Sequence, residues 1–465
     1  MATGGRNGQG EVVSPWSVSA NVGSQEGWGR EMVKVVRQLA VRRDRVSAAR
    51  WWIVCGLVLS GVSASAQQQT RRAGRERGEV TVEAAISAAE LDALAGKECE
   101  FVLSTGKRVS GTTLLRIVRG KDKQTVRTVV YRKGDSKTTR KYRPNALQRV
   151  IVAGKPYDVT ADLSLRAFVL VDVAEKQRIV SERLKANGKK LWKPLSSQET
   201  AAVIKEQKTF LRTVGKAFPS LPMRLYETRF FLFFSDMPSD QVGLYRAELD
   251  SMNVELGKAF GVPPGENVWR GKAVFVVFVE QGAFLRFEQQ FMKRNPAELR
   301  STQGVCHQSS TGNVVVGCYR GKDPTYLAQV LVHETTHGYL HRFMSSARVP
   351  SWLNEGIAEW VSATVVTRSR VPQIRQRKAI DRLQQTGQIG RQFFGPRIES
   401  WHYGVASRIT DSLIKANPEA FRWWVVSIKE GIDWQQGLHQ AFGYSPPGLI
   451  QAYGRSVGVP QIRIQ

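Results

Sequence analysis

Two histidines four residues apart most strongly restrict the fold of this 465-residue chain. The sequence LVHETTHGYLHRF, from residue 331 to residue 343, contains His333 and His337. On a helix both imidazoles project from one face and can hold a single ion, whereas Glu334 points about 100° away and can reach a water on that ion. The spacing therefore predicts a helix, and the rest of the chain has to bring further ligands to that helix face.

The next segment supplies a third ligand for such an ion. It reads WLNEGIAEW, and Glu355 lies eighteen residues after His337. This distance allows the first helix to end near Pro350 and a second helix to return alongside it with Glu355 facing the ion. Glu359, one turn further on, can accept the free ring N–H of a ligand histidine. Two imidazoles and one carboxylate suit zinc and leave a fourth position for water, whose proton Glu334 can accept during attack on a carbonyl.

The two motifs together resemble those of the gluzincin metallopeptidases of peptidase clan MA, and most closely those of the bacterial peptidase-MA-like family. Thermolysin-like enzymes and the zinc aminopeptidases share this active-site plan. The resemblance covers residues 206–465 and implies that Glu334 is the general base and that Glu359 supports a ligand imidazole. It also implies three zinc ligands, which are His333, His337 and Glu355. The chain lacks a GAMEN-like exopeptidase motif, which favours an endopeptidase over an aminopeptidase.

Such a site also needs a donor that stabilises the tetrahedral oxyanion. In the family this donor is usually a downstream Tyr or His, and the sequence SWHYG at residues 400–404 offers both at the start of a predicted helix. We prefer Tyr403 over His402, although each can equally be an ordinary helix-start residue. The segment 312–316 (GNVVV) lies where the family places its substrate-aligning edge strand, and an extended peptide can pair with such a strand.

The region 206–465 alternates between strands and helices before it becomes mainly helical. The predicted elements are strands at 226–234 (YETRFFLFF), 273–279 (AVFVVFV) and 312–316, and helices at 241–260 and 283–293. Strands that alternate with helices and then give way to helices predict an α+β catalytic domain of the zincin type, with a mixed sheet.

The first half of the chain contains other kinds of segment. Residues 67–95 are interpreted as a linker that ends in a short helix over 82–95, and residues 161–205 as a helical connector with a break near Pro194. Between them, residues 96–160 contain short β-prone runs separated by glycine-containing or charged turns. This pattern predicts a small antiparallel β-barrel of the SH3-like type.

Positive charge is concentrated in the predicted barrel. The chain has 68 Lys and Arg against 40 Asp and Glu, a formal charge of +28, and the interval from Lys97 to Arg149 has fifteen basic and four acidic residues. Such an excess favours an anionic partner. Nucleic acid is disfavoured because the interval has few aromatic residues for base stacking. An anionic envelope polymer is preferred, and a basic surface that serves only solubility is the alternative.

The first 66 residues have the pattern of an export signal. Eight basic residues precede an uncharged, largely apolar stretch at 51–63, which ends in Ala64-Ser65-Ala66. This order is typical of a cleaved secretory signal peptide, and the apolar stretch is short for a membrane span. We expect export to the periplasm, the cell envelope or the medium, with no stable membrane span after cleavage; a retained N-terminal anchor is the alternative.

The cysteines fit this destination. Cys306 and Cys318 flank a short segment and can close a hairpin as a disulfide in an oxidising compartment. Cys99 would then remain as a small buried residue. A zinc role for the pair is disfavoured because the chain has no CxxC spacing.

Three functions remain open on the sequence alone. The preferred one is an exported zinc endopeptidase that acts on peptides or proteins. The second is an envelope-binding protein in which the peptidase fold is only a scaffold, and the third is a zinc hydrolase of non-peptide amides. The intact Glu334 favours the first over the second, because a relic site would tolerate loss of the base.

Overall fold

Two β-sheets organise the α+β structure of this chain. The computed structural model describes residues 82–163, 167–263 and 265–464, and these residues lie in one compact unit. The predicted signal peptide at 1–66 lies outside the described residues. Within the described ranges, every helix is too short or too polar to cross a bilayer.

The N-terminal sheet has seven antiparallel strands. They are β1 (Glu98–Leu103), β2 (Arg108–Arg119), β3 (Val126–Lys133), β4 (Thr139–Tyr142), β5 (Leu147–Val152), β6 (Lys155–Asp162) and β7 (Ala167–Asp172). Their order is β2-β1-β5-β6-β7-β3-β4, and β2 also pairs with β3. The buried side chains, among them Phe101, Leu114 and Val150, form an apolar cluster of their own. The sheet thus extends to Asp172 and includes a strand from the segment that the sequence assigned to the connector.

A short helix, α1 (Ala88–Ala93), precedes this sheet. It begins after Ser87, whose side chain and backbone form a capping box with the first turn. The sequence predicted a helix that starts at residue 82, but residues 83 and 84 form a turn, and Ala85 forms a β-bridge with Val171. The Ile86 N–H donates to Leu170 O at 2.9 Å. Pairing with β7 therefore uses the residues that a longer helix would need.

Two helices, α2 (Val173–Ala186) and α3 (Ser197–Ala217), connect the sheets. The predicted helix break near Pro194 is present, and the chain between the helices runs along a loop of the C-terminal half. There the Trp192 N–H donates to Met344 O, and its Nε1 donates to His341 O, each at 2.9 Å. The connector is thus fastened to the loop that follows the histidine-bearing helix.

The C-terminal sheet has five strands and is mixed. They are β8 (Arg224–Glu227), β9 (Phe231–Ser235), β10 (Ala273–Phe278), β11 (Gly304–Gln308) and β12 (Val314–Tyr319). The order is β11-β12-β10-β9-β8. The three inner strands are parallel, and the two edge strands are antiparallel to their neighbours. All six residues of β10 are buried, which agrees with the continuous apolar run AVFVVFV.

Two strand predictions in this sheet were wrong. The run YETRFFLFF forms two antiparallel strands, because a tight turn closed by a 2.9 Å hydrogen bond from Thr228 N–H to Phe231 O reverses the chain. The segment 312–316 does not form an edge, because β12 lies between β11 and β10. The edge strand on this side is β11, whose five residues, GVCHQ, carry only a weak strand signal.

Nine helices follow or interrupt the second sheet among the described residues. They are α4 (Ser239–Phe260), α5 (Gln281–Gln290), α6 (Pro324–Arg342), α7 (Ser351–Val365), α8 (Val371–Thr386), α9 (His402–Ala416), α10 (Pro418–Lys429), α11 (Trp434–Phe442) and α12 (Pro446–Ser456). The helix predictions at 241–260 and 283–293 correspond to α4 and α5. Helix α6 packs against β11, β12, α4 and α7, so it is surrounded by the C-terminal core.

Glycines allow α7, α8 and α9 to approach closely. A Cβ on Gly356 of α7 would lie 2.7 Å from Ala406 O of α9. A Cβ on Gly404 of α9 would lie 2.3 Å from Arg375 O of α8. Both contacts are to backbone atoms, which cannot rotate away as a side chain can. Each glycine directly follows a candidate site residue in the sequence, so this packing positions the site.

We expect Gly356→Ala to lower the free energy of unfolding by about 1–3 kcal/mol, because the new methyl group overpacks the α7–α9 contact. Gly243→Ala is the matched control, since a Cβ there meets nothing within 4 Å. That helical substitution should stabilise the protein by roughly 0.5–1 kcal/mol. Thermal or urea unfolding measures both, and equal stability of the two variants would show that the helix contact is not tight.

Candidate metal centre

Three side chains from two helices converge on one point. His333 and His337 project from α6 and Glu355 projects from α7, with all their ligand atoms within 4.8 Å of one another. Glu355 Oε2 lies 3.2 Å from His333 Nε2 and 3.5 Å from His337 Nε2. Tetrahedral zinc, with bonds of about 2.0–2.1 Å, separates neighbouring ligand atoms by about 3.3 Å. Within the described ranges, this trio is the cluster that could hold a metal ion.

The hydrogen bonding of the trio also fits an ion. Glu355 Oε2 is buried and has no hydrogen-bond partner of acceptable geometry among the described residues. A buried carboxylate oxygen without a partner is costly. Coordination to a divalent ion would satisfy this oxygen, and the nearby Nε2 atoms are the donors that such an ion prefers.

The carboxylates give the site a strongly negative electrostatic potential. Burial opposes protonation of His333, but Glu355 and Glu359, which lie beside its two ring nitrogens, raise its pKa to about 10. Burial likewise opposes ionisation of Glu355, but the imidazoles of His337 and His333 hold the pKa of that carboxyl well below its usual range. The site therefore favours a positive charge between these groups, whether a proton or a metal ion.

Glu334 is held between α6 and the edge strand. Burial raises the pKa of Glu334, while the imidazoles of His337 and His333 oppose that rise. The nearby backbone N–H of Cys306, on β11, also lowers that pKa. The carboxylate thus lies beside the two imidazoles, the position that a general base for a metal-bound water needs.

Glu359 is fully buried on α7, one turn after Glu355. Its Oε1 lies 3.1 Å from His333 Nδ1 and also forms an ion pair with Arg375 of α8. A proton on Nδ1 faces this carboxylate, which leaves Nε2 of His333 free to bind an ion. The Arg375 guanidinium also lies 5.7 Å from the centre of the Tyr403 ring. Sequence analysis missed Arg375, since nothing distinguishes it from the other basic residues of α8.

The structure separates the roles of the two oxyanion candidates. The Tyr403 ring stacks on His333 with 6.1 Å between centroids, and burial raises the pKa of Tyr403, which keeps its hydroxyl a donor. His402 is fully buried. Its Nε2 lies 2.7 Å from Ile389 O, and its Nδ1 accepts from the Glu399 N–H at 3.1 Å. Because both ring nitrogens are occupied in the core, the alternative donor His402 is excluded.

Tyr326 is a second hydroxyl beside the site that sequence analysis missed. It lies on α6, seven residues before His333, a spacing that places both on one helix face. Burial raises the pKa of Tyr326, and the charge of the nearby Arg375 opposes the rise. The charges of Glu359 and Glu334 are near enough to raise that pKa further. The seven-residue spacing was the available sequence signal.

Three other histidines lie outside the cluster, and one of them, His439, is exposed on α11. His341, one turn after His337, has its Nε2 3.1 Å from Ser309 O and packs its ring edge-on against Trp192. His307, on β11, forms a 2.8 Å contact with the buried carboxylate of Glu288. Both are occupied by contacts of the surrounding structure.

The predicted disulfide is not present. Cys306 and Cys318 lie on the adjacent antiparallel strands β11 and β12, and both thiols are free. In the register of these strands, Cys306 lies opposite Val316 and Cys318 lies opposite Gly304, so the cysteines are diagonal neighbours. Diagonal Cα atoms are about 7–8 Å apart, beyond the roughly 4.4–6.8 Å that a disulfide usually spans. The strand register keeps the thiols apart.

Comparison with models of known protein families finds none that matches this chain, and comparison with curated proteins finds no significant match. The residues of the site include every side chain that the two sequence motifs nominated, together with Arg375 and Tyr326, which the motifs did not nominate.

We expect Arg375→Gln to weaken zinc binding by about 10- to 100-fold, because Glu359 loses its counter-charge and orients His333 less firmly. Arg377→Gln is the matched control, since Arg377 is exposed on the same helix. Competition with a chelator of known affinity measures both. If the two variants hold zinc equally well, Arg375 does not act on the metal centre through Glu359.

Proposed function

We propose that this chain is a zinc-dependent endopeptidase of the gluzincin type that acts on peptides or proteins after export. The observation that carries the proposal is the convergence of His333, His337 and Glu355 from two helices at the ligand spacing of tetrahedral zinc. Glu334 lies beside them, near the backbone N–H of Cys306 on the edge strand. An intact base beside intact ligands favours an enzyme over a scaffold that only retains the fold.

The proposed roles follow from the contacts of each side chain. Zinc bound by the three ligands would supply a Lewis acid and a water of lowered pKa. Glu334 accepts the proton of the attacking water and returns it to the leaving amine. Glu359 and Arg375 keep the Nε2 of His333 directed at the site. Tyr403 donates its hydroxyl to the oxyanion that forms on the scissile carbonyl.

The edge strand β11 supports a peptide substrate. The Ser309 N–H donates to Asn313 O and the Tyr319 N–H to Gln303 O, so the odd-numbered residues of this strand direct their backbone groups toward β12. The even-numbered residues, whose backbone groups face outward, are Gly304, Cys306 and Gln308. The Cys306 N–H faces Glu334, so an extended peptide can pair with this edge through the backbone atoms of Gly304 and Gln308 and the carbonyl of Cys306. Such pairing needs no free terminus, which favours an endopeptidase.

The strand pairings support a finer proposal for the N-terminal sheet, namely a small closed barrel of the SH3-like type. Strand β2 pairs with both β1 and β3, and β7 pairs with both β6 and β3. The ladder then returns to β1 through β5, while β4 is added to β3. Closure of this kind leaves few free edges.

Export is also part of the proposal, and the sequence pattern of residues 1–66 supports it.

We expect the purified protein to hold about one zinc per chain and to cleave members of a broad peptide library. Glu334→Gln should keep the zinc and lose nearly all cleavage, because an amide can hydrogen-bond the water but cannot accept its proton. Metal analysis and library digestion measure the two properties on the same samples. His337→Ala is the matched variant that should lose zinc and cleavage together.

The proposal fails if protein reconstituted with zinc at neutral pH holds no metal. It also fails if Glu334→Gln cuts peptides at the wild-type rate. Retention of zinc without cleavage of any peptide by the wild type would leave a metal site but exclude a general peptidase.

We expect Tyr403→Phe to lower kcat by about 10²–10³-fold, as loss of an oxyanion donor does, with KM and zinc content nearly unchanged. Tyr326→Phe is the comparison, because Tyr326 also lies near Arg375 and Glu334. Tyr403, which stacks on His333, is expected to contribute more. Steady-state kinetics on one cleaved peptide measure both. If Tyr326→Phe has the larger effect on kcat, the oxyanion donor is Tyr326.

A further inference from the structure

The outer face of strands β2, β3 and β4 carries a group of positive charges. Val130 on β3 lies opposite Arg116 of β2 on one side and opposite Lys141 of β4 on the other. Arg132, two residues further along β3, points to the same face as Val130. All three basic side chains are exposed. We call Arg116, Arg132 and Lys141 the basic face.

These charges are not neutralised within the sheet. Its ion pairs among the described residues join Arg108 to Glu100, Arg119 to Asp92, Arg149 to Asp158 and Lys155 to Asp172. None of them involves a residue of the basic face. The nearest outward-facing acidic residue in the register is Glu98, which lies opposite Thr113 at the border with β1. The face therefore keeps a net positive charge.

The basic face is extended by the loop at one of its ends. The β2–β3 loop contributes the exposed Lys121 and Lys123 against one exposed acidic residue, Asp122, whereas in the β3–β4 turn the exposed Lys137 is balanced by Asp135. Neighbouring strands are about 4.8 Å apart, and alternate residues along a strand are about 7 Å apart. The cations thus follow one another across a surface that is longer than any single anionic group.

Threonine hydroxyls lie between the cations. In the strand register Thr113 and Thr139 flank Arg132 on the two neighbouring strands. Charged nitrogens interleaved with hydroxyl groups suit a partner that has both anionic groups and hydroxyls. We infer that the basic face binds a linear anionic polysaccharide, with sulfate or carboxylate groups on the cations and sugar hydroxyls on the threonines.

Other polyanions fit the face less well. Single-stranded nucleic acid is usually held by stacking of its bases on aromatic rings, but Phe101 and Tyr131 are buried, and Tyr142 packs on both of them. A membrane surface would favour apolar side chains among the cations, and the face has one exposed large apolar residue, Val118. The expected export of the chain also separates it from cellular nucleic acid.

The test is binding of the full chain to a heparin dodecasaccharide, measured by calorimetry at about 50 and about 200 mM salt. We expect binding that weakens steeply with salt. The triple variant R116Q/R132Q/K141Q should lose about tenfold or more in affinity at the lower salt and should show a shallower salt dependence, because fewer counterions are released. The triple variant K205Q/R212Q/K216Q, on the exposed side of α3, removes the same charge and should bind as the wild type does.

Three outcomes would overturn the inference. Absence of heparin binding by the wild type is one, and an equal loss of affinity in both triple variants is another, since it would show that only net charge matters. The third is tighter binding of a DNA duplex, a dT oligomer or an anionic phosphatidylserine vesicle than of heparin, which would assign the face to that partner. Melting temperatures confirm that each variant is folded. No arm measures hydrolysis, so the result is independent of the peptidase proposal.

Discussion

The negative charge of three glutamates in one small volume is the constraint on which the site depends. Glu334, Glu355 and Glu359 are all removed from most of the solvent, and a carboxylate in such surroundings needs compensating charges or hydrogen bonds. Arg375 and His333 lie within ion-pair distance of Glu359, and the imidazoles of His333 and His337 lie within that distance of Glu355. Arg375 comes from α8, so neutralising the site requires α8 to pack closely on α7 and α9. The glycines at the helix contacts permit that packing.

A buried cation also compensates the free backbone carbonyls at the C-terminal end of the histidine-bearing helix. Lys429 is fully buried at the end of α10, and its Nζ donates to Leu340 O at 2.8 Å and to Ala347 O at 2.6 Å. Burial lowers its pKa to about 7, yet the last carbonyls of a helix are a favourable place for a cation. Within the same loop Met344 has a φ of 58°, a left-handed conformation that is unfavourable for such a side chain. Its carbonyl accepts the Trp192 N–H, so the connector helps to hold this conformation.

The sequence could predict those parts of the site that local periodicity determines. His333, Glu334 and His337 share one helix, and Glu355 and Glu359 share the next, so their spacing alone placed them correctly relative to one another. Arg375 acts only through contacts between α8 and its neighbours, and no spacing within α8 signals it. The predictions of the edge strand and of the disulfide were wrong for a related reason. Which strand is covered, and which residue lies opposite which, depends on pairing between segments, whereas the sequence reveals mainly the propensity of each segment.

The contacts of the connector would transmit the effect of binding at the N-terminal sheet to the proposed catalytic region. Helix α2 directs Lys176 to the Glu430 carboxylate at 2.6 Å and Arg183 to the Glu430 carbonyl at 3.3 Å, and Glu430 directly follows Lys429. Lys429, which donates to a carbonyl at the end of the histidine-bearing helix, is therefore adjacent in sequence to Glu430, which α2 contacts. The Lys176–Glu430 ion pair is largely removed from solvent, since its side chains are only 25% and 8% exposed, and the Trp192 hydrogen bonds attach the connector to the loop that follows the histidine-bearing helix. Because these contacts tie the connector to that loop and to the end of α10, a polymer held on the basic face would fix the orientation of the edge strand and the metal centre as well as their location. The catalytic region would then meet substrates that lie along the polymer in a restricted set of orientations, which a flexible tether would not impose.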